Sequence, residues 1–234
     1  MTDTYDMHRL QLRNLRMDDY PQVRRLMDLV YPDLDGAWPK QVIAALVQRF
    51  PEAQFGIEDN GKIIAVALTV RVDYRRFSTA HSYAELLEGS ESVLHNPHGD
   101  AMYGLDVFVD PEYRGFRLGR RLYDARKELC REDNYRAILA GGRIPEYFKY
   151  AREMSPQEYI ERVKQRDLYD PILTFQLAND FQVKRVLEDY NPEDRKSQGN
   201  ATLLEWVNIF YQRNQPALVH APKRQVRGGM VQWQ

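Results

Sequence analysis

The chain has 234 residues, 43% of them hydrophobic, which is enough for one large domain with a buried core. Its 33 lysines and arginines balance 34 aspartates and glutamates, so the total charge favours no nucleic-acid partner and any anion site must be local. No apolar run is long enough to cross a bilayer, and the first residues lack the pattern of a signal peptide. We therefore expect a cytoplasmic protein that binds neither membrane nor nucleic acid.

The first part of the chain predicts two helices and three strands. Apolar and polar residues alternate over residues 8–15, as in a half-buried strand. Two helices are predicted next, one starting at residue 17 and one at residue 38. Two strands follow, over residues 54–58 and 62–72. Asn60-Gly61 joins the last two strands, and this pair favours a tight hairpin turn because both residues tolerate positive φ. The long polar stretch 73–100 is interpreted as a functional lid or a family insertion.

The middle of the chain predicts a strand, a short turn and a helix. Residues 103–109 form an apolar run that Asp110-Pro111 ends. Leu118, Leu122, Ala125 and Leu129 then recur at helical spacing. Later elements are a strand at 135–140, helices starting at Ser155-Pro156 and Asp170-Pro171, and strands at 181–187 and 201–209. The order predicts an α/β fold, a mixed sheet with helices on its faces.

The turn over residues 113–119 predicts an anion site. It aims the N-terminus of a helix, with unpaired N–H groups and a partial positive charge, at one spot. Three arginines there, Arg114, Arg117 and Arg120, add positive potential. Further along the same helix, Arg121, Arg126 and Lys127 are interpreted with Arg120 as a solvated face, and Cys130 as a buried thiol.

This turn resembles the acyl-CoA signature of the Gcn5-related N-acetyltransferase (GNAT) superfamily, Gln/Arg-x-x-Gly-x-Gly/Ala. Arg114 takes the first position and Gly119 the last, and the element order also matches over roughly residues 8–210. The resemblance implies a central, mostly antiparallel sheet flanked by helices in a domain 1–220, with inserts at about 73–100 and 143–169. Arg117 replaces the middle glycine, and we expect ordinary helical backbone there.

The resemblance implies acetyl-CoA as donor and an amine as acceptor, either a small molecule or a protein lysine or N-terminus. It places the cofactor on Val107, Phe108, Val109, Arg114, Gly115, Phe116, Arg117, Leu118, Gly119 and Arg120. One backbone amide of residues 107–109 would also polarise the thioester carbonyl. No metal is expected, since His95 and His98 have no further ligands beside them.

The acid and base are harder to identify. Many family members carry a tyrosine acid where Gln176 stands, and a glutamine cannot donate that proton. Asp106 and Tyr103 are the catalytic candidates. A carboxylate within an apolar strand, such as Asp106, is more often a hydrogen-bonded structural group than a base, and an aromatic on a strand, such as Tyr103, is more often part of the core. Tyr147, Tyr150 or a water are further alternatives for the acid.

A finer resemblance is to a bacterial GNAT subgroup in which a carbon–nitrogen (nitrilase-like) hydrolase domain follows the acetyltransferase domain. It rests on residues 124–130, 141–145, 168–171 and 175–179. Residues 221–234 are similar to a linker and the first strand of such a hydrolase. This implies a hydrolase domain in cis. It also raises a second function, a non-catalytic acyl-CoA-binding module that regulates the hydrolase.

Overall fold

A computed structural model describes residues 8–31, 38–87 and 94–217. Its seven strands are β1 (Leu10–Asn14), β2 (Phe55–Asp59), β3 (Lys62–Val72), β4 (Ala101–Val109), β5 (Ala137–Arg143), β6 (Gln182–Leu187) and β7 (Ala201–Val207). They form one sheet in the order β1-β2-β3-β4-β5-β7-β6. Among the described strands only β4 and β5 pair in parallel, which confirms the mixed, mostly antiparallel sheet.

Helices cover both faces of this sheet. They are α1 (Tyr20–Val30), α2 (Lys40–Arg49), α3 (Tyr74–Phe77), α4 (Leu118–Glu132), α5 (Pro156–Gln165) and α6 (Pro171–Leu177). Alternate residues of β3 show the two layers. Val66 and Leu68 pack with α1 and α2, whereas Ala65 and Ala67 pack with α4. The long apolar run of β3 is therefore a strand buried on both faces.

Local turn chemistry behaves as predicted at the first hairpin. Asn60 has φ 49° and Gly61 φ 85°, the two positive values that a tight Asn-Gly turn requires. The predicted end of β5 was wrong. The strand continues through Gly141 and Gly142 to Arg143, because all three residues pair with β7.

β4 and β5 separate soon after they meet. They pair only over Met102–Gly104 and Ile138–Ala140. Opposite this point a register shift between Leu68 and Thr69 leaves one extra residue in β4, a β-bulge. Beyond it the two strands diverge, and a cleft opens between them.

The two predicted inserts contribute to the core. In the described part of residues 73–100, Phe77 and Leu86 are buried in the layer of α1 and α2. In residues 143–169, Tyr159 and Ile160 of α5 are buried on the opposite face. The predicted hydrolase-like segment 221–234 lies outside the described residues. In the part that the structure describes, no helix is both long and apolar enough for a membrane span.

Candidate functional site

The cleft between β4 and β5 has a volume of about 790 Å³, within the usual size of a cofactor site. Its walls are the C-terminal halves of the two strands, the turn before α4, and α6. Eight predicted CoA-binding residues line it: Val107, Phe108, Val109, Arg114, Gly115, Arg117, Leu118 and Gly119. Phe116 and Arg120 are exposed and are not among the lining residues, so their roles stay predictions.

The turn before α4 is anchored to the neighbouring strands. Asp110 accepts a hydrogen bond from the Glu112 amide at 3.1 Å, and Lys62 lies 3.1 Å from the same carboxylate. The Tyr113 hydroxyl donates to Asp59 at 2.9 Å. These contacts hold the start of the turn against β2 and β3.

The prediction of ordinary helical backbone at Arg117 was wrong. The residue's φ of 56° and ψ of 29° are left-handed. The family's glycine at this position thus matches a real conformational need, which costs a non-glycine residue about 1–2 kcal/mol. The Arg117 side chain does not cap the helix. The N–H groups of Leu118 and Gly119 therefore stay available to an anion.

Replacing Arg117 with glycine should have opposite effects on stability and on binding. We expect the free energy of unfolding to rise by about 1 kcal/mol, because the left-handed strain is removed. CoA affinity should fall, because a cation beside the phosphates is lost. Denaturant melts and calorimetric titration check the two signs. An Arg117→Gly variant that is less stable than the wild type would contradict the backbone argument.

Gly119 allows α4 and α6 to approach each other. A Cβ at this position would lie 3.0 Å from Cζ of Phe175. This contact is tight, so the last glycine of the signature serves the packing of α4 against α6. Phe175 in turn packs edge-on against Tyr123 of α4, with ring centroids 5.2 Å apart.

Asp106 lies in the cleft wall with both carboxylate oxygens occupied. The Tyr31 hydroxyl donates to Oδ1 at 2.7 Å and the Trp38 indole to Oδ2 at 3.0 Å. Burial raises the pKa of Asp106, and these two hydrogen bonds oppose that rise. The carboxylate is thus a stronger base than an exposed one, and Asp106 is one of the residues that line the cleft.

Tyr103 does not reach the cleft. It is 1% exposed, and its hydroxyl lies 2.9 Å from His81 Nε2 and 3.0 Å from the Tyr190 hydroxyl. Burial raises its pKa well above the ordinary value. This placement matches the alternative reading, a core aromatic with a satisfied hydroxyl, and gives its predicted catalytic role no support.

The other candidate tyrosine acids also lie outside the cleft lining. Tyr147 is buried and donates to the Met154 carbonyl at 3.0 Å, and Tyr150 packs against Tyr159. Neither lines the cleft. Gln176, which the resemblance aligns with a tyrosine acid, does line it. It is 6% exposed, and its Oε1 has no hydrogen-bond partner within the described residues.

The predicted solvated face of α4 is only half correct. Arg120 and Arg121 are exposed, but Arg126 and Lys127 are 3% and 5% exposed. The helical period explains Arg126, since it follows Leu118 and Leu122 at steps of four on the buried stripe. Cys130 is a buried thiol, as predicted.

The sequence analysis missed several polar residues of the cleft, among them Tyr31, Arg126 and Arg143. Tyr31 is the residue that caps the C-terminus of α1, and Arg143 ends β5. Arg143 forms a two-point salt bridge with Asp194, at 2.6 and 2.7 Å. Neither Tyr31 nor Arg143 carries a local motif that would identify it. Within residues 8–31, 38–87 and 94–217, no three His, Cys, Asp or Glu side chains are grouped to hold a metal.

A family profile and a similar protein both point to the acetyltransferases. The profile of the Acetyltransferase (GNAT) family matches residues 10–146. An uncharacterized N-acetyltransferase of Bacillus subtilis (strain 168), YkwB, is 31% identical over 207 residues, which cover 87% of this chain and 91% of YkwB. The probable hydrolase YhcX of the same organism is 34% identical over 238 residues, which cover the whole chain but only 46% of YhcX. The chain thus spans about half the length of YhcX.

The fold also matches solved structures. The GNAT-like decarboxylase GphF, in complex with isobutyryl-CoA, superposes with a TM-score of 0.74 at 20% identity. The match covers 84% of this chain and 98% of GphF. At this identity the likeness concerns the fold alone.

Proposed function

Because this chain belongs to the acetyltransferase (GNAT) family, we propose that it transfers an acetyl group from acetyl-CoA to an amine. The observation that carries the proposal is the cleft itself. It joins an uncapped helix N-terminus, flanked by Arg114 and Arg117, to a gap between two strands. A pyrophosphate fits the first part and an extended pantetheine arm the second.

In the proposed reaction, the amine nitrogen attacks the thioester carbonyl and forms the C–N bond. The C–S bond breaks, and its electron pair leaves with sulfur as the CoA thiolate. The nitrogen loses its proton to Asp106, whose raised pKa suits a base. A backbone amide of residues 107–109 stabilises the oxyanion.

The donor half of this proposal predicts a stability change. Acetyl-CoA at about 100 times its Kd should stabilise the fold by about 2.7 kcal/mol through mass action. Thermal melts with acetyl-CoA, isobutyryl-CoA and free CoA measure it and rank the acyl groups. An unchanged melting temperature with saturating ligand would remove CoA from the proposal.

A second function is a non-catalytic acyl-CoA-binding module, with regulation of a hydrolase domain in cis. Gln176 favours it, since an amide stands where the family's tyrosine acid is expected. The match to half of YhcX supports the cis partner. CoA release in the presence of small amines, peptides with free N-termini and protein lysines separates the two functions. Turnover above the hydrolysis background supports the transferase, and tight binding without turnover supports the module.

A further inference from the structure

Arg126 is a buried cation that takes no part in the proton transfer or the oxyanion stabilisation proposed above. It projects from α4 under the bulge of β4 and is 3% exposed. Its Nε donates to the Thr69 hydroxyl at 2.9 Å, and its Nη2 donates to the carbonyls of Leu68 and Asp106 at 2.5 and 2.7 Å. These acceptors are neutral, and Arg126 has no salt bridge within the part of the chain that the structure describes.

The remaining nitrogen of Arg126 faces the cleft. Nη1 has no acceptor among the described residues, yet it is not one of their buried, unpaired atoms. It is therefore accessible, and Arg126 lines the cleft. A Cβ at Gly104 would lie 3.0 Å from Nη1, so this nitrogen sits where β4 and β5 last pair.

The surroundings of Arg126 leave its charge available. Tyr123 of α4 and Asp106 of β4 are the titratable groups whose charges act on it, and Gln176 of α6 lies beside Tyr123. Burial lowers the pKa of Arg126 to about 10, so the guanidinium remains charged at neutral pH. Asp106 acts on this charge without forming a salt bridge to it, and a buried charge outside a salt bridge acts strongly on a nearby anion.

We propose that Arg126 is a catalytic residue that stabilises the CoA thiolate as it leaves, through the two N–H donors of Nη1. This inference rests on the proposed acyl transfer. As the C–S bond breaks, its electron pair moves to sulfur, and the sulfur departs as an anion paired with the guanidinium. The thiolate takes its proton later from solvent. A tyrosine acid is then not required, which accounts for Gln176 at that position.

The test follows the thiol of bound CoA, not turnover. Ultraviolet thiolate absorbance is titrated against pH for free CoA and for CoA bound to the wild-type chain. We expect the bound thiol to have a pKa about one unit or more below that of free CoA, because an opposite charge lies within contact. Arg126→Met should restore the value of free CoA. Desulfo-CoA should bind both chains with similar Kd, since it lacks the sulfur.

Two variants control for other causes. Lys127→Met removes a neighbouring buried cation whose Nζ lies 2.9 Å from Asp180, and it should leave the lowered thiol pKa intact. Tyr123→Phe should also leave it intact, and loss of the shift there would assign the effect to Tyr123 instead. If Arg126→Met does not fold, Arg126→Lys keeps a charge and should keep part of the shift.

The outcomes separate the two claims. CoA bound with an unshifted thiol pKa in the wild type overturns the role of Arg126 but leaves the proposed function standing. An equal shift in wild type and Arg126→Met overturns it too. Failure of the wild type to bind CoA or desulfo-CoA overturns the proposed function itself. In a transferase assay, Arg126→Met should lower kcat about 10²-fold with little change in KM.

Discussion

Asp106→Asn is expected to lower kcat/KM for acyl transfer by about two to four orders of magnitude, the usual contribution of a general base. Asp106 is one of the residues that line the cleft, and burial raises the pKa of its carboxyl, which makes the carboxylate a stronger base than an exposed one. An amide in its place keeps the size of the side chain but cannot act as a base. Initial rates of CoA release with any accepted amine measure the effect.

The pH profile of Asp106 gives an independent check. A base works in its ionised form, so kcat/KM should fall as the pH drops through the raised pKa of Asp106. Tyr31→Phe removes a 2.7 Å hydrogen bond that lowers this pKa, so the acid limb should move to higher pH. A limb that stays in place, or an Asp106→Asn variant with wild-type kcat/KM, would return Asp106 to the structural role that the sequence also allowed.

Gly119→Glu is expected to weaken CoA binding by roughly two to three orders of magnitude. A carboxylate in the first turn of α4 would compete with the pyrophosphate for the same N–H groups. At an effective dielectric constant of 20, two like charges about 4 Å apart repel by about 4 kcal/mol, which is roughly a thousandfold change in affinity. Calorimetric titration with free CoA measures Kd without any acceptor.

Gly119→Gln is the matched control for the charge. Both variants press a side chain towards Phe175, whose Cζ would lie 3.0 Å from the new Cβ, so both lose some packing between α4 and α6. Only the glutamate adds charge. Equal losses of affinity in the two variants would show that Gly119 serves packing alone, and unchanged affinity in both folded variants would move the phosphate site elsewhere.

The shape of the site follows from one interruption of the sheet. The buried guanidinium of Arg126 lies beside the bulge in β4. There it donates to one carbonyl of β3 and one of β4, which therefore accept hydrogen bonds from a side chain and not from backbone N–H groups. The pairing of β4 with β5 ends there. Hydrogen bonds from the Arg126 side chain thus replace backbone hydrogen bonds at the point where the cleft begins.

The sequence by itself determined the strand, turn and helix around residues 103–129 and the order of the other elements. Each of these depends on local rules: the period of apolar residues, proline as a breaker, and glycine or asparagine at positive φ. The family resemblance then predicted that the sheet is mostly antiparallel. Contacts between residues close in the chain carry this kind of information.

The tertiary structure alone decided which polar side chains meet in the cleft. Asp106 is held by Tyr31, 75 positions away, and Arg126 reaches a carbonyl 58 positions away. Tyr103 is buried, and its hydroxyl lies within hydrogen-bond distance of His81 Nε2 and of the Tyr190 hydroxyl. Arg117 adopts a left-handed conformation that its residue type disfavours. The burial of a side chain, its hydrogen-bond partners and the strain in its backbone depend on packing between segments that are distant in the sequence. A local sequence pattern does not predict such packing.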